Sequence, residues 1–279
     1  MNISEIMVKT PIAVELPTTR DEVLSMLVKN KRTGMPVVDE EGKILGMITR
    51  KHIFQDPEEE QVSVLMEWDV PTTTPATNVE KVAKIMFEKK ERRLPVVRKG
   101  KLVGLVTPSD LLKVIESRKL DAPVSDYVMP YTYCIYEGTP CRVAATMINL
   151  SRVYAMPVLD SRSNIIGMVT DRDLFDTKFL GENITLTKLG ISEDEDAWTW
   201  EGIRNVMNLY YQEARIDLPD DPVLKFMVKN VSTIYKKTPI HEAAKIMRMK
   251  DYDQIPVVDK DDNLHSMIHD MDLMKAIFD

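Results

Sequence analysis

The feature that most limits the fold of this chain is a proline-led β-hairpin that occurs four times. Each copy begins with a short apolar segment: Met35-Pro36-Val37-Val38, Leu94-Pro95-Val96-Val97, Met156-Pro157-Val158-Leu159 and Ile255-Pro256-Val257-Val258. A polar turn and a second apolar run follow in every copy, at residues 44–49, 102–107, 165–170 and 264–269. Two short apolar runs around a turn are typical of a hairpin. Their recurrence indicates a fold built from repeats of about sixty residues.

A threonine stands eighteen residues before each of these prolines, and we expect it to begin a helix. The four are Thr18, Thr77, Thr139 and Thr238. Apolar residues at helical spacing follow them, and a threonine hydroxyl can accept a hydrogen bond from a free amide at a helix start. Pro140 and Pro239 come next, at the predicted first helical position. Each repeat is therefore predicted to contain a short helix, strand, helix, strand, turn, strand and short helix.

The repeats divide the 279 residues into five predicted segments. Residues 1–60, 61–120, 121–178 and 222–279 form the repeats, and residues 179–221 form an insertion. Helices that alternate with strands and cover small sheets predict an α+β fold.

The insertion contains an acidic run, Ser192-Glu193-Asp194-Glu195-Asp196, that precedes two tryptophans. An acidic first turn predicts a helix, which would run through Trp198, Ile203, Met207 and Tyr210. Two interpretations stay open: the tryptophans pack this helix against the repeats, or they form a surface for a protein partner.

Charge and hydropathy restrict the class of protein. A net charge of −7 and a pI near 5.3 argue against nucleic-acid binding, which calls for a basic face. The chain begins without the basic and then apolar pattern of a signal peptide. It also has no apolar stretch long enough to span a membrane. We therefore expect a soluble cytoplasmic protein.

The sulfur-containing residues are interpreted as structural. Cys134 and Cys141 have neither the spacing of a zinc site nor the number of a disulfide framework, so reduced, partly buried thiols are expected. Methionines that recur at repeat core positions are predicted to fill the core: Met47, Met86, Met147, Met168, Met247 and Met267.

A four-residue motif ends the second strand of each hairpin: Thr49-Arg-Lys-His52, Thr107-Pro-Ser-Asp110, Thr170-Asp-Arg-Asp173 and His269-Asp-Met-Asp272. Threonine followed three residues later by an acid is also a helix capping box. A carboxylate at a helix start can equally accept hydrogen bonds from both hydroxyls of a ribose, while helix amides donate to phosphate. The basic pair Arg92-Arg93 and the apolar wall beside the motif favour a ligand site.

On these motifs the repeats resemble CBS domains, named for cystathionine β-synthase. The chain as a whole resembles the stand-alone four-CBS proteins of archaea and the γ subunit of AMP-activated protein kinase. The resemblance covers all of the chain except the insertion. It implies that repeats one with two and three with four form two CBS-pair (Bateman) modules, packed as a disc with pseudo-twofold symmetry. It also implies that adenosine ligands bind in the clefts between paired repeats.

The family's functional residues carry over only where the motif matches. The resemblance assigns ribose binding to Asp110, Asp173 and Asp272, and phosphate contacts to Thr107, Thr170 and the Arg92-Arg93 pair. Arg172, inside the third motif, is assigned to the ligand site with them. Repeat two is the most complete copy.

Several positions depart from the family pattern. His52 replaces the aspartate in repeat one, and in repeat four His269 replaces threonine and Ser266 replaces glycine. The basic pair is absent from three repeats, where Gly34, Tyr154-Ala155 and Asp253-Gln254 stand. We expect one or two good ligand sites rather than four equal ones.

Neither catalysis nor metal binding is indicated. The chain lacks a phosphate-binding loop and a nucleophile elbow. The repeats also leave no room for a catalytic barrel. His265 and His269 face the same way along a strand, but no third ligand accompanies them.

The predicted function is that of a regulatory protein that senses AMP, ADP or ATP and needs no cofactor. It would act on an unidentified protein partner as a monomer or homodimer. Two alternatives remain: a sensor of S-adenosylmethionine, which would not need the arginines, and an interaction scaffold that acts through the insertion.

Overall fold

The computed structural model describes residues 1–30, 32–49, 52–53, 59–129, 131–151, 153, 155–170, 173 and 220–279. The predicted helix of the insertion therefore lies outside the described residues, and the predicted segment boundaries stay predictions. None of the described helices has the length and apolar character that a membrane crossing requires.

Short strands and helices alternate along the described chain. The strands are β1 (Val8–Lys9), β2 (Val14–Glu15), β3 (Gly34–Val38), β4 (Ile44–Thr49), β5 (Glu67–Trp68), β6 (Leu94–Arg98), β7 (Lys101–Val106), β8 (Ile135–Tyr136), β9 (Ala155–Leu159), β10 (Ile165–Thr170), β11 (Ile234–Tyr235), β12 (Gln254–Val258) and β13 (Leu264–His269). The helices are α1 (Arg20–Lys29), α2 (Val62–Leu65), α3 (Val79–Lys89), α4 (Pro108–Arg118), α5 (Cys141–Ser151), α6 (Ile240–Lys250), α7 (Asp270–Leu273) and α8 (Lys275–Phe278).

The four predicted hairpins are present as antiparallel pairs: β3 with β4, β6 with β7, β9 with β10, and β12 with β13. In repeats one, three and four, a short strand pairs in parallel with the first hairpin strand. In these three repeats the proline is tolerated because the parallel strand pairs only with the two residues that follow it, so no ladder hydrogen bond needs an amide from the proline. Apolar residues on the hairpins face the helices and form the core.

Each repeat of the first module completes the sheet of the other. Strand β1, at the start of repeat one, pairs with β7 of repeat two, and β5, at the start of repeat two, pairs with β4 of repeat one. Gly46 and Gly104 permit this close approach, because a β-carbon on either would lie within 2.6 Å of the incoming segment. The pairing of repeats one and two follows from these exchanged strands.

Repeats three and four are paired in a similar way, with one difference. Val228, near the start of repeat four, bridges to Met168 of repeat three, where Gly167 leaves space for it. In the reverse direction, Ser266 fills the equivalent space, and its hydroxyl donates to the Met129 carbonyl at 3.1 Å. Strand β13 accordingly gains no strand from the described residues of repeat three.

Apolar residues from one repeat also complete the core of another repeat. Ile3 and Val124, in the first turns of repeats one and three, are buried in the core that repeats two and four share. Val62 and Val223, in the first turns of repeats two and four, are buried in the cores of repeats one and three. A first turn therefore stabilises the partner repeat rather than its own.

The two modules meet through helices of repeats two and four. Helix α4 packs along α6, and α8 packs against α3. One continuous buried cluster contains Met86 and Ile115 of repeat two together with Met247 and Leu273 of repeat four. The predicted α+β class and the arrangement of four repeats in two paired modules are confirmed.

The predicted helix starts need a correction of one or two residues. Arg20 begins α1, Val79 begins α3, Cys141 begins α5 and Ile240 begins α6. The predicted threonines instead lie in the preceding turn, where the Thr77 and Thr238 carbonyls accept the amides of Ile3 and Val124 at 2.9 Å. Asn78 provides the cap of α3, accepting the Lys81 amide at 3.0 Å. Pro140 and Pro239 precede the first helical residue rather than occupying it.

The methionine and cysteine expectations hold with two adjustments. Five of the six methionines are buried, and Met147 is partly buried. Both cysteines are free, but Cys134 is exposed and only Cys141 is buried. Burial, reinforced by the nearby Asp221 carboxylate, raises the pKa of the Cys141 thiol to about 12.

This difference predicts that the two thiols react at very different rates. At pH 8 an aromatic disulfide reagent should modify Cys134 quickly, because that thiol is exposed. Cys141 should react only after unfolding, because the thiolate is the nucleophile and burial keeps this thiol protonated. Thiol titration in native buffer and in denaturant measures the effect, and a Cys134→Ser variant should show no fast phase. Two fast thiols in the native protein would contradict the prediction.

Candidate functional site

The second repeat places its motif where β7 ends and α4 begins. Asp110 Oδ2 accepts the Thr107 amide at 3.0 Å and the Thr107 hydroxyl at 2.9 Å. Lys113, one helical turn later, donates to Asp110 Oδ1 at 3.0 Å. Pro108 occupies the first helical position, where a missing amide costs nothing. Asp110 is therefore a buried carboxylate with one oxygen fixed to the strand end and the other paired with an exposed lysine.

The third repeat has the same arrangement after β10. Asp173 Oδ2 accepts the Thr170 amide at 2.8 Å and its hydroxyl at 2.7 Å. The Asp173 side chain is half-buried. Arg172, which the resemblance adds to this site, lies outside the described residues. Repeats two and three thus present carboxylates that are held in the same way at the same position.

The other two motifs differ as the sequence indicates. In repeat four, Asp272 Oδ2 accepts the His269 amide at 3.2 Å and lies 3.1 Å from His269 Nδ1. Asp272 is buried at the start of α7. In repeat one, the His52 amide donates to Thr49 Oγ1 at 3.3 Å, and no carboxylate stands at that position.

These contacts bear on both interpretations of the motif. The capping interpretation is correct for Thr107, Thr170 and His269, since in each case the aspartate three residues later accepts the amide. Each cap uses Oδ2, so the hydrogen bonds orient the carboxylate at the end of the sheet. The cap and a ligand contact are therefore compatible on one side chain.

Arg93 lies between the paired repeats one and two. The β6–β7 register pairs Leu94 with Val106, which sets Arg93 opposite Thr107 at the strand ends. Its side chain reaches repeat one, because a β-carbon built on Gly34 would lie 3.3 Å from Arg93 Nε and 2.9 Å from Thr49 Cγ2. Glycine at position 34 therefore gives the arginine room, and Arg93 stands beside the motifs of both repeats.

Arg92, by contrast, points to repeat four. Its Nη1 and Nη2 donate to the two carboxylate oxygens of Asp270 at 2.9 and 2.8 Å. Nη2 also donates to Asp253 Oδ1 at 2.9 Å. The Asp270 side chain is 4% exposed and that of Arg92 39%. The predicted basic pair is thus divided: one arginine lies in the first module and the other bridges the two modules.

Sequence reasoning did not identify Asp253 and Asp270 as partners of Arg92. A signal was present, because Arg92 and Asp253 stand at the same position of their repeats, three residues before the proline, with opposite charges. Opposite charges at equivalent repeat positions are expected to meet where two repeats pack about a twofold axis.

Burial affects the ionisation of Asp270. The loss of hydration raises the pKa of this carboxyl above its usual range, and the Arg92 guanidinium offsets only part of that effect. A carboxyl whose pKa is higher in the folded state loses stabilising effect as the pH rises through that range. Ionisation of Asp270 is therefore less favourable in the folded protein than in the unfolded chain.

The histidines give no sign of a metal centre. In the part of the chain that the structure describes, no three His, Cys, Asp or Glu side chains group as a metal ion would require. His265 is exposed, and His269 is close to Asp272.

Comparisons with known proteins identify the family of the four repeats. A family model for the CBS domain matches residues 3–58, 61–117, 124–178 and 223–279. A crystal structure of a conserved protein from Pyrococcus horikoshii is similar to this chain with a TM-score of 0.71 and 26% identity, covering 99% of this chain and 100% of that one.

Protein MJ1225 of Methanocaldococcus jannaschii is 25% identical over 190 residues, which are 62% of this chain and 68% of MJ1225. Its crystal structure, described as a proposed archaeal homologue of the AMP-activated protein kinase γ subunit, has a TM-score of 0.70 at 20% identity and shows the shared fold. An inosine-5′-monophosphate dehydrogenase from Aquifex aeolicus is 35% identical over 112 residues, which are 38% of this chain but only 23% of that enzyme.

Proposed function

The chain belongs to the CBS-domain family, and on this premise we propose that it is a non-catalytic regulatory protein that binds an adenosine ligand between paired repeats. The observation that carries the proposal is the common geometry of Asp110 and Asp173. In each case Oδ2 accepts hydrogen bonds from the amide and the hydroxyl of the threonine at the end of the hairpin, and the aspartate lies at a helix start. A carboxylate held in this way can accept hydrogen bonds from ribose hydroxyls without the entropy cost of first being ordered.

Arg93 would contact the phosphate of the ligand in the first module. It stands opposite Thr107, whose amide and hydroxyl bind the Asp110 carboxylate, and its side chain lies beside Gly34 of the paired repeat. A ribose at Asp110 and a phosphate at Arg93 would therefore involve both repeats of the module. Repeat one offers His52 in place of an aspartate, so its ligand contacts would come from the partner repeat.

Ligand binding would act on a protein partner through the arrangement of the two modules. A ligand shifts an equilibrium only if it binds one arrangement more tightly than the other. By linkage, the partner would change the affinity for the ligand by the same factor. Repeats two and four share one buried core, so a structural change in the cleft beside repeat two could reach the second module through packed side chains.

Thermal unfolding with AMP, ADP, ATP, S-adenosylmethionine and GTP tests the proposal. A ligand at one hundred times its dissociation constant should add about 2.7 kcal/mol to the free energy of unfolding. Asp110→Asn combined with Asp173→Asn should abolish the shift, because an amide nitrogen cannot accept a hydroxyl proton. The asparagine oxygen can still cap the helix. Asp121→Ala, at an exposed position, is the control and should keep the full shift.

Arg93→Ala then separates the classes of ligand. This variant should weaken AMP, ADP or ATP and spare S-adenosylmethionine, which has no phosphate. If nucleotide-free, folded protein shows no shift with any of these compounds, the sensor proposal is wrong. The scaffold alternative would then remain, and the experiment would turn to the insertion.

A further inference from the structure

Two carboxylates surround the guanidinium of Arg92 in the structure. Asp270 binds both terminal nitrogens, and Asp253 shares one of them. A guanidinium can hold a carboxylate or a phosphate through two neighbouring N–H groups, either Nη1 with Nη2 or Nε with Nη2. Asp270 and Asp253 together take both Nη2 protons, so neither pair is left for a phosphate. Arg92 is therefore already occupied by a side chain of this chain.

We propose that Asp270 is a specificity-determining residue. It holds Arg92 away from the ligand and so lowers the affinity of the site for di- and triphosphates relative to a monophosphate. This inference rests on the proposed function. With Arg92 bound to Asp270, Arg93 is the member of the pair that faces the cleft of the first module. Arg92 is the chain neighbour of Arg93, so a second or third phosphate beyond Arg93 would approach a guanidinium whose charge two carboxylates already offset.

Asp270 is fixed in place within the fourth repeat. It is the first residue of α7, directly after His269 and two residues before Asp272, the ribose candidate. Its Oδ1 also accepts the Met271 amide at 2.7 Å, so the carboxylate uses a free amide of the helix start. The Asp270 carboxylate is therefore held by the Arg92 guanidinium and by the Met271 amide at once.

The contacts of Asp270 indicate that an asparagine can replace it without unfolding the protein. Asp270→Asn keeps the side-chain volume and an oxygen that can accept the Met271 amide, and it removes the negative charge while Arg92 keeps the Asp253 carboxylate. Its main consequence should therefore appear in ligand selectivity.

Equilibrium binding of adenosine, AMP, ADP and ATP to the full chain tests the inference by titration calorimetry. In Asp270→Asn, the dissociation constant of ATP relative to that of AMP should fall about tenfold or more, because a like charge beside the phosphate chain has been removed. Adenosine should be unaffected. Asp253→Asn removes an exposed carboxylate from the same arginine and should change the ratio less, since water screens that charge.

Arg92→Ala gives a second test that does not depend on the folding of the first variant. It leaves Asp270 without its cation, so ATP should bind more weakly still while AMP is unchanged. Equal weakening of AMP and ATP would mean that Arg92 contacts the ligand, and the inference would be wrong. An unchanged ATP-to-AMP ratio in Asp270→Asn would also overturn it while leaving the sensor proposal intact. Absence of binding by every adenosine compound to the unaltered chain would instead overturn the proposed function itself.

Discussion

Replacing Gly46 with alanine is expected to destabilise the protein by about 3 kcal/mol or more and to separate β5 of repeat two from β4 of repeat one. A β-carbon at this position would lie 2.0 Å from the Glu67 carbonyl oxygen and 2.6 Å from Met66 Cε. The methionine can rotate away, but the carbonyl belongs to the backbone of β5. Strand β5 would therefore have to leave β4, with loss of its hydrogen bonds. Urea unfolding followed by circular dichroism measures the change.

Ser266→Ala is the matched control for this prediction. Ser266 stands at the equivalent position of repeat four, where the structure already accommodates a β-carbon. The substitution removes only the hydroxyl, with its bonds to the Met129 carbonyl and to Thr132. It should cost about 1 kcal/mol. Equal losses in the two variants would contradict the explanation that Gly46 is required for close approach of the strands.

The hairpins and the motif positions could be predicted because their signals are local. An apolar run, a turn and a second apolar run specify a hairpin through the residues that form it. The aspartates of the motif lie three residues from their capping partners, so their positions at helix starts follow from sequence spacing alone. The hairpin and the motif recur at matching positions in all four repeats, so each repeat supports the prediction made for the others.

The exchange of first turns between repeats could not be predicted in the same way. Ile3 and Val124 are apolar residues in short turns, and nothing in their neighbourhood indicates which sheet they will cover. The choice depends on which sheet has an open edge after the hairpins have formed. The helix starts were displaced for a related reason, since the predicted threonine caps use their carbonyls to hold the partner repeat.

The division of the arginine pair is also a tertiary effect. Arg92 and Arg93 are adjacent in sequence, and the resemblance assigns them one role. Asp270, which binds Arg92, is 178 residues away, so the partner is fixed by the packing of repeat two on repeat four rather than by local pattern. The local prediction therefore described the charge of the pair correctly but not the direction in which each side chain points.

Truncating Met247 should test whether the two modules form one folding unit. Met247 lies on α6 of repeat four, is 1% exposed, and belongs to the buried cluster that includes Ile115 of repeat two. Met247→Ala should cost about 2–5 kcal/mol, because a cavity would open in the buried cluster that repeats two and four share. Urea unfolding of the full chain provides the measurement.

Met249→Ala is the control on the same helix, two residues away, where the methionine is 69% exposed. It should change the free energy of unfolding by no more than about 0.5 kcal/mol. If the shared core couples the modules, Met247→Ala should move the whole transition to lower urea without splitting it, because repeat two loses the contacts that repeat four loses. Two separate transitions, with only one of them shifted, would mean that the modules fold independently. The core between repeats two and four would then be unable to carry a ligand signal from one module to the other.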